Sequence, residues 1–174
     1  DVGDELRAAA EAKGFKILCW MYNGFRDISN SVKPITGPED LKGLKIRVPE
    51  SQVFLKTFET LGAVPTPMAV SEVFTAMQLK TVDGQENPSA IFVNNKYNEV
   101  NDYYSVTHHI FTAEPLIMSL DKFNSFSGDD QKALLEAAQE AAEYQRKLAI
   151  DSADQELQQI KDAGVNVNVV DDMS

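Results

Sequence analysis

Few side chains in this sequence are of a type and in a place to do chemistry, and Arg47 stands out among them. It lies in LKIRVP (Leu44 to Pro49), a short β-branched run. A strand there holds the guanidinium near the end of a sheet rather than along a solvated helix face. A cation so placed needs a partner, either an internal Asp or Glu or an anionic ligand that arrives and leaves. Arg26 poses the same choice. Alternation along an extended FRDIS (Phe25 to Ser29) turns Phe25 and Asp27 one way and Arg26 and Ile28 the other, with Asp27 or Asp40 as candidate ion-pair partners. DGQENP (Asp83 to Pro88) adds three consecutive amide or acid side chains that cannot all face a core. Alternation puts Gln85 and Asn87 on one side and Glu86 on the other, unless the segment is simply a hydrated turn. Glu50, directly after KIRVP, is either an acceptor for hydroxyl groups or a solvated cap.

Other chemistries lack their parts. An enzyme needs a nucleophile with its base, a metal cluster, or two carboxylates held at a cleft. Cys19 is the one cysteine and sits in an apolar run, which reads as a small core residue and excludes an internal disulfide. His108 and His109 are adjacent, so on a strand they point to opposite faces and cannot share a metal. DGQEN departs from the calcium-loop pattern because glycine follows the first aspartate directly. Neither a Walker nor a dinucleotide glycine pattern is present. The expectation is no catalytic residue, no metal and no cofactor. A formal net charge of -11 argues against nucleic acid or an anionic membrane as partner. No apolar run reaches the roughly 18 residues of a spanning helix, and no basic-then-apolar leader precedes Asp1, which predicts a soluble, processed or trimmed chain.

The elements that must position these side chains read as α/β. DELRAAAEAK (4–13) predicts a helix stopped by Gly14, and FKILCWMY (15–22) a strand buried on both faces, followed by a turn or bulge at Asn23-Gly24. A one-turn helix starts at Pro38. KIRVP is a strand, Ser51 caps a helix over 52–61, and VPTPM (64–68) is a second strand. Such a crossover makes the two strands parallel, and ligands of such sheets bind beyond the carboxyl ends. That rule sets Arg47 to Glu50 and Pro67 to Val70 beside one cleft. Ser71 is read as the cap of a helix over 72–80 whose N-terminus offers amide donors at the cleft edge. After DGQENP, 91–100 is amphipathic, 103–111 and 115–120 are strands interrupted at Glu114-Pro115, and a helix of about 50 Å covers 129–163 behind Ser127. VNVNVV (165–170) alternates as an edge strand. A cation, a helix N-terminus and an amide that converge suit a module that binds an organic anion. A purely structural fragment, or an enzyme acting on a carboxylate, explains that convergence less well.

The order GFR (24–26), PITGPEDLKGLKIRVPES (34–51), LGAVPTPM (61–68), SEVFTAMQ (71–78), VDGQENP (82–88) and YNEV (97–100) resembles the solute-binding receptor of tripartite ATP-independent periplasmic (TRAP) transporters, over essentially the whole chain. The resemblance implies a periplasmic-binding-protein-like architecture of two lobes with parallel or mixed sheets. It also implies that this chain is the second half of the usual one, with part of the N-terminal lobe missing and an uncovered face able to self-associate. On that basis 1–29 is a remnant of the first lobe plus a hinge strand, 30–112 the second lobe, and 113–174 a hinge strand, a bracing helix and an edge strand. By the same resemblance Arg47 forms a two-pronged salt bridge with a substrate carboxylate, assisted by Arg26 and Asn87, with Glu86 counted in the site. Many relatives place an aromatic residue where Val70 stands here, which removes a flat surface against a ligand's carbon skeleton. Glu50 tilts the expected ligand from a C4-dicarboxylate toward a sugar acid. The implied role is a periplasmic receptor that delivers a small organic acid to a membrane permease.

Overall fold

A computed structural model describes residues 1–171 and 173. Contacts divide the chain into two compact units, Asp1–Gly24 with Thr112–Asp151, and Phe25–Phe111 with the residues from Ser152 on.

The first unit opens with α1 (Val2–Glu11), where Asp4 N donates to the Asp1 carboxylate at 2.9 Å. That cap starts the helix two residues before the sequence pattern does, and Gly14 ends it at φ +83°. β1 (Phe15–Asn30) and β5 (Tyr103–Ser119) each begin or end in this unit, followed by α5 (Leu120–Asn124) and most of α6 (Gly128–Asp162). The irregularity expected at Asn23-Gly24 lies within a continuous β1, where Gly24 adopts φ +97° and a Cβ would sit 2.9 Å from the Tyr22 ring. The break expected at Glu114-Pro115 is absent. β5 runs through Glu114-Pro115, an exposed stretch where a missing N–H costs little. Ser127 caps α6 as expected, accepting from Asp130 N at 3.2 Å. Cys19 is fully buried against Ala138 and Ala142 of α6, where small side chains allow close approach.

The second unit is an α/β sheet. Its strands β2 (Lys45–Val48), β3 (Val64–Pro67), β4 (Gly84–Asn87) and β6 (Asn166–Val169) join β1 and β5 in the order β3-β2-β4-β1-β5-β6. β2 pairs in parallel with both β3 and β4, β4 pairs antiparallel with β1, and β6 is the parallel edge beside β5. The Pro-containing β3 is the other edge, which suits a strand with missing donors. The crossover from β2 to β3 passes through α2 (Gln52–Thr60), as the sequence predicts, although the Ser51 hydroxyl makes no capping hydrogen bond.

The second expected cap also differs. Val70–Glu72 is a 3-10 turn and α3 (Val73–Gln78) follows with no side-chain cap from Ser71. A helix of six residues preceded by a tight turn offers no N-terminal anion site, so the helix-end contribution read from the sequence is withdrawn. α4 (Ser89–Asn94) starts at Pro88, and a 3-10 turn at Tyr97–Glu99 completes the segment.

Gly84 fixes the centre of this sheet. A Cβ there would meet the Ser29 carbonyl oxygen at 2.0 Å, so β4 approaches β1 as only glycine allows. The two faces of the sheet carry different cores. One holds Ile28, Ile46 and Val48 against Phe58 of α2. The other holds Val73 and Met77 of α3 with Phe92, Tyr97 and Tyr104.

Candidate functional site

The carboxyl ends of β2, β3 and β4 lie side by side, and β1, running the other way, brings Arg26 and Asp27 to the same end. Register fixes which side chains share a face. Arg47 is opposite Thr66 on one side and Gln85 on the other, and Gln85 is opposite Ser29. Asn87, two residues beyond Gln85, therefore projects from the face that carries Arg47. Glu86, opposite Ile28, projects from the other face.

Arg26 is engaged on that other face through Nε and Nη2. Its Nε donates to Glu86 Oε2 at 2.6 Å, and its Nη2 donates to Glu86 Oε1 at 2.8 Å, to the Glu86 carbonyl at 2.9 Å and to Asn87 Oδ1 at 2.9 Å. Both ion-pair residues are buried, and the guanidinium stacks 5.1 Å from the Phe54 ring centroid. The internal ion pair expected for Arg26 thus exists, but with Glu86 rather than Asp27 or Asp40. Asp27 instead accepts from the Tyr104 hydroxyl at 2.9 Å and from two consecutive amides, Thr107 N and His108 N, at 2.9 and 3.0 Å. Consecutive amides reach one oxygen because His108 sits at φ +46°, a bulge in β5. Burial raises the Asp27 carboxyl above its ordinary pKa, and these hydrogen bonds pull it back. Asp40 is bound elsewhere, to Lys33 and Thr36.

From Arg26 a directional chain of hydrogen bonds runs through the sheet. Asn87 Oδ1 accepts from Arg26, so Asn87 Nδ2 is the donor, to Gln85 Oε1. Gln85 Nε2 donates to Ser29 Oγ and Ser29 donates to Asn101 Oδ1, both at 2.8 Å, and Asn101 Nδ2 donates to the Val100 carbonyl at 2.9 Å. All these side chains are buried. A cation at one end and a carbonyl at the other settle which way each amide points. Asn87 is thereby held in one orientation beside Arg47.

Arg47 is 4% exposed and is held differently. Nε and Nη2 donate to a single carbonyl, that of Met68, at 3.1 and 2.7 Å. No carboxylate of a described residue lies within 4.0 Å of it, and Nη1 makes no hydrogen bond to a described residue. Burial lowers its pKa from the ordinary arginine value, while Glu86 and Tyr97 pull the other way. The guanidinium remains a planar cation with donors to spare.

The remaining residues read from the sequence lie around this end. Glu50 is exposed, close enough to favour the charged form of Arg47 but with no hydrogen bond to it among those described. Val70 is 54% exposed, in the turn that follows β3. His108 and His109 do turn apart, with side chains 58% and 3% exposed. His109, taken from the sequence as a structural or rim residue, packs edge-on to Phe58 with its Nδ1 at 2.7 Å from Thr107 Oγ1 and its Nε2 at 3.4 Å from Glu86. The sequence reasoning did not single out Ser29 and Asn101, each of which sits among other polar residues and so carries no signal of its own, or Tyr97, which helical spacing makes a core residue.

Comparison with known proteins gives the family. The model of bacterial extracellular solute-binding protein family 7 (DctP) matches residues 1–173. The 2,3-diketo-L-gulonate-binding periplasmic protein YiaO of Escherichia coli K12 is 41% identical over 166 residues, covering 95% of this chain and 51% of its own. A TRAP periplasmic solute-binding protein of Polaromonas sp. JS666, solved bound to D-erythronate, is 39% identical with a TM-score of 0.94 over 98% of this chain and 56% of its own. Another from Sulfitobacter sp. NAS-14.1, solved with β-D-galacturonate, is 35% identical with a TM-score of 0.95 over 99% of this chain and 57% of its own. The chain spans about half the length of the curated relatives it matches. Among the described residues no helix is long and apolar enough to cross a membrane. Matched by that family model over residues 1–173 and by a relative 41% identical over 95% of its length, the chain belongs to bacterial extracellular solute-binding protein family 7, the family of TRAP periplasmic solute-binding proteins.

Proposed function

We propose that Arg47 holds the carboxylate of a small organic acid, that Asn87 flanks it, and that Arg26 acts by fixing Asn87 through the buried chain. The observation that carries this reading is the buried guanidinium of Arg47 with no carboxylate beside it. A buried cation is expensive to leave uncompensated, and a carboxylate that binds there supplies the missing charge. Two charge-assisted hydrogen bonds at about 1.5 to 3 kcal/mol each make up a large part of the roughly 8 kcal/mol of a micromolar site.

The favoured ligand class is a sugar acid rather than a C4-dicarboxylate. Glu50 is an exposed acceptor suited to hydroxyl groups, and Val70 leaves room where an aromatic ring would press on a carbon skeleton. Galacturonate, erythronate and diketogulonate, the acids named for the similar proteins, are all hydroxylated carboxylates. Acid capture then serves delivery to the membrane subunits of a TRAP permease, through closure of two lobes whose contacts form only when closed.

The test is calorimetry of the polypeptide as it is produced, with Arg47→Lys beside wild type, titrated with D-galacturonate, D-erythronate and succinate. Lysine keeps the charge but loses the planar two-point match, so affinity for the sugar acids falls at least tenfold. An unchanged dissociation constant removes Arg47 from the site, and succinate as the tightest ligand reverses the preference for sugar acids.

A further inference from the structure

Two tyrosines share the core beneath the Arg47 face, and they are treated oppositely. Tyr104, fully buried, donates its hydroxyl to Asp27. Tyr97 is 1% exposed and its hydroxyl is a buried polar atom with no hydrogen-bond partner among the described residues. Its ring is fixed edge-on to Phe92 at 6.2 Å, which in turn meets Tyr104 at 5.0 Å. The ring therefore cannot swing the hydroxyl out to solvent without breaking the cluster it shares with Val73 and Met77.

A buried hydroxyl left unpaired is destabilising, and phenylalanine would fill the same space without that cost. Met68 packs against this same cluster, and its carbonyl is the group that anchors Arg47. Tyr97 and Arg47 each enter the other's electrostatic surroundings, and burial raises the Tyr97 phenol above its ordinary pKa, which keeps its proton on at neutral pH.

We infer that the Tyr97 hydroxyl is a second, neutral contact of the acid site, hydrogen-bonded to an oxygen on the carbon next to the carboxylate that Arg47 holds. This rests on the carboxylate reading above and extends it from charge to substitution pattern. The guanidinium takes the two carboxylate oxygens, and the next atom a ligand can offer is whatever its adjacent carbon bears. A phenol both donates and accepts, so it suits a hydroxyl, a ring ether or a keto oxygen, and it gains nothing from a methylene. A site that buries an unpaired hydroxyl discriminates against the ligand that lacks its partner.

Paired probes test this. D-Erythronate and 3,4-dihydroxybutanoate differ only in the oxygen next to the carboxylate, as do D-galactonate and 2-deoxy-D-galactonate. Calorimetry of the polypeptide as produced, wild type and Tyr97→Phe, is expected to show D-erythronate or D-galactonate weakened about tenfold by the substitution, and the deoxy partner bound equally by both proteins. A thermal midpoint for the ligand-free variant equal to or above wild type shows that the ring still packs. Equal affinity of both proteins for the oxygenated acids, or the same loss for both members of a pair, overturns the inference while leaving Arg47 in place. Failure of wild type to bind any of these acids overturns it together with the carboxylate reading.

Discussion

Arg26 and Arg47 lie near the same end of the sheet, equally buried, and their surroundings differ in one respect. Arg26 faces a carboxylate within its own fold, while Arg47 faces a peptide carbonyl and no acid. The first arrangement is charge-paired as it stands. The second has no carboxylate of a described residue in contact with it, which is the feature that the proposed carboxylate site rests on. The comparison teaches that burial alone does not separate the two arginines, and that the partner does.

The largest effect expected from breaking the comparison is on Arg26. Arg26→Met leaves Glu86 buried with no cation and strips the anchor from Asn87, so it should destabilise the fold by about 3 to 5 kcal/mol. Denaturant unfolding measures this, and the double variant Arg26→Met/Glu86→Leu should recover most of the loss because it removes both charges together. If Arg26→Met is as mild as a surface change, the pair is not a closed unit.

Ser29→Ala is next. It takes the acceptor from Gln85 Nε2 and the donor from Asn101 Oδ1, both buried, and should cost about 1 to 3 kcal/mol. Because the chain orients Asn87, acid affinity should also fall, by a smaller factor than for Arg47→Lys. Stability loss with unchanged affinity would show that Asn87 does not need the chain. Arg47→Met has the opposite sign on stability. Removing an uncompensated buried cation should raise the ligand-free thermal midpoint, by the equivalent of about 1 kcal/mol, while abolishing acid binding. A midpoint that falls as it does for Arg26→Met would mean that Arg47 has an internal partner after all.

How much of this was legible in the sequence follows from the range of each interaction. The crossover from β2 to β3 and the parallel pairing rest on local periodicity and one handedness rule, and they stand as read. The alternation of Gln85 and Asn87 against Glu86 also holds, since it depends on the pleat alone. Arg26 shows the limit. Its partner Glu86 is 60 residues away in sequence, and only the β1 to β4 register brings them together. The Ser71 cap failed for a different reason, because a 3-10 turn satisfies the first amides of that segment before the helix begins. Tyr97 could not have been found, since an apolar pattern says a ring is buried and nothing about whether its hydroxyl is paired.

The smallest effect belongs to a different ion pair, Asp40 with Lys33, which is partly exposed where the Arg26 pair is buried. Hydrogen bonds from the Thr36 hydroxyl and amide and from Lys33 lower the Asp40 pKa from 3.8 to about 2. A carboxyl depressed in the folded state contributes stability that is complete above its unfolded pKa and disappears as pH falls through the folded one. Its contribution is therefore lost between about pH 4 and pH 2. Asp40→Asn should be slightly less stable than wild type at pH 7, and the difference between the two proteins should shrink across that window. Denaturant unfolding of both proteins from pH 7 down to pH 2 measures this, and a difference that stays constant across the window would mean that the folded state does not hold the Asp40 carboxyl below its ordinary value. The partly exposed pair stands in contrast to the buried Arg26 pair, because Lys33 lies in reach of solvent and the loss of the pair is small.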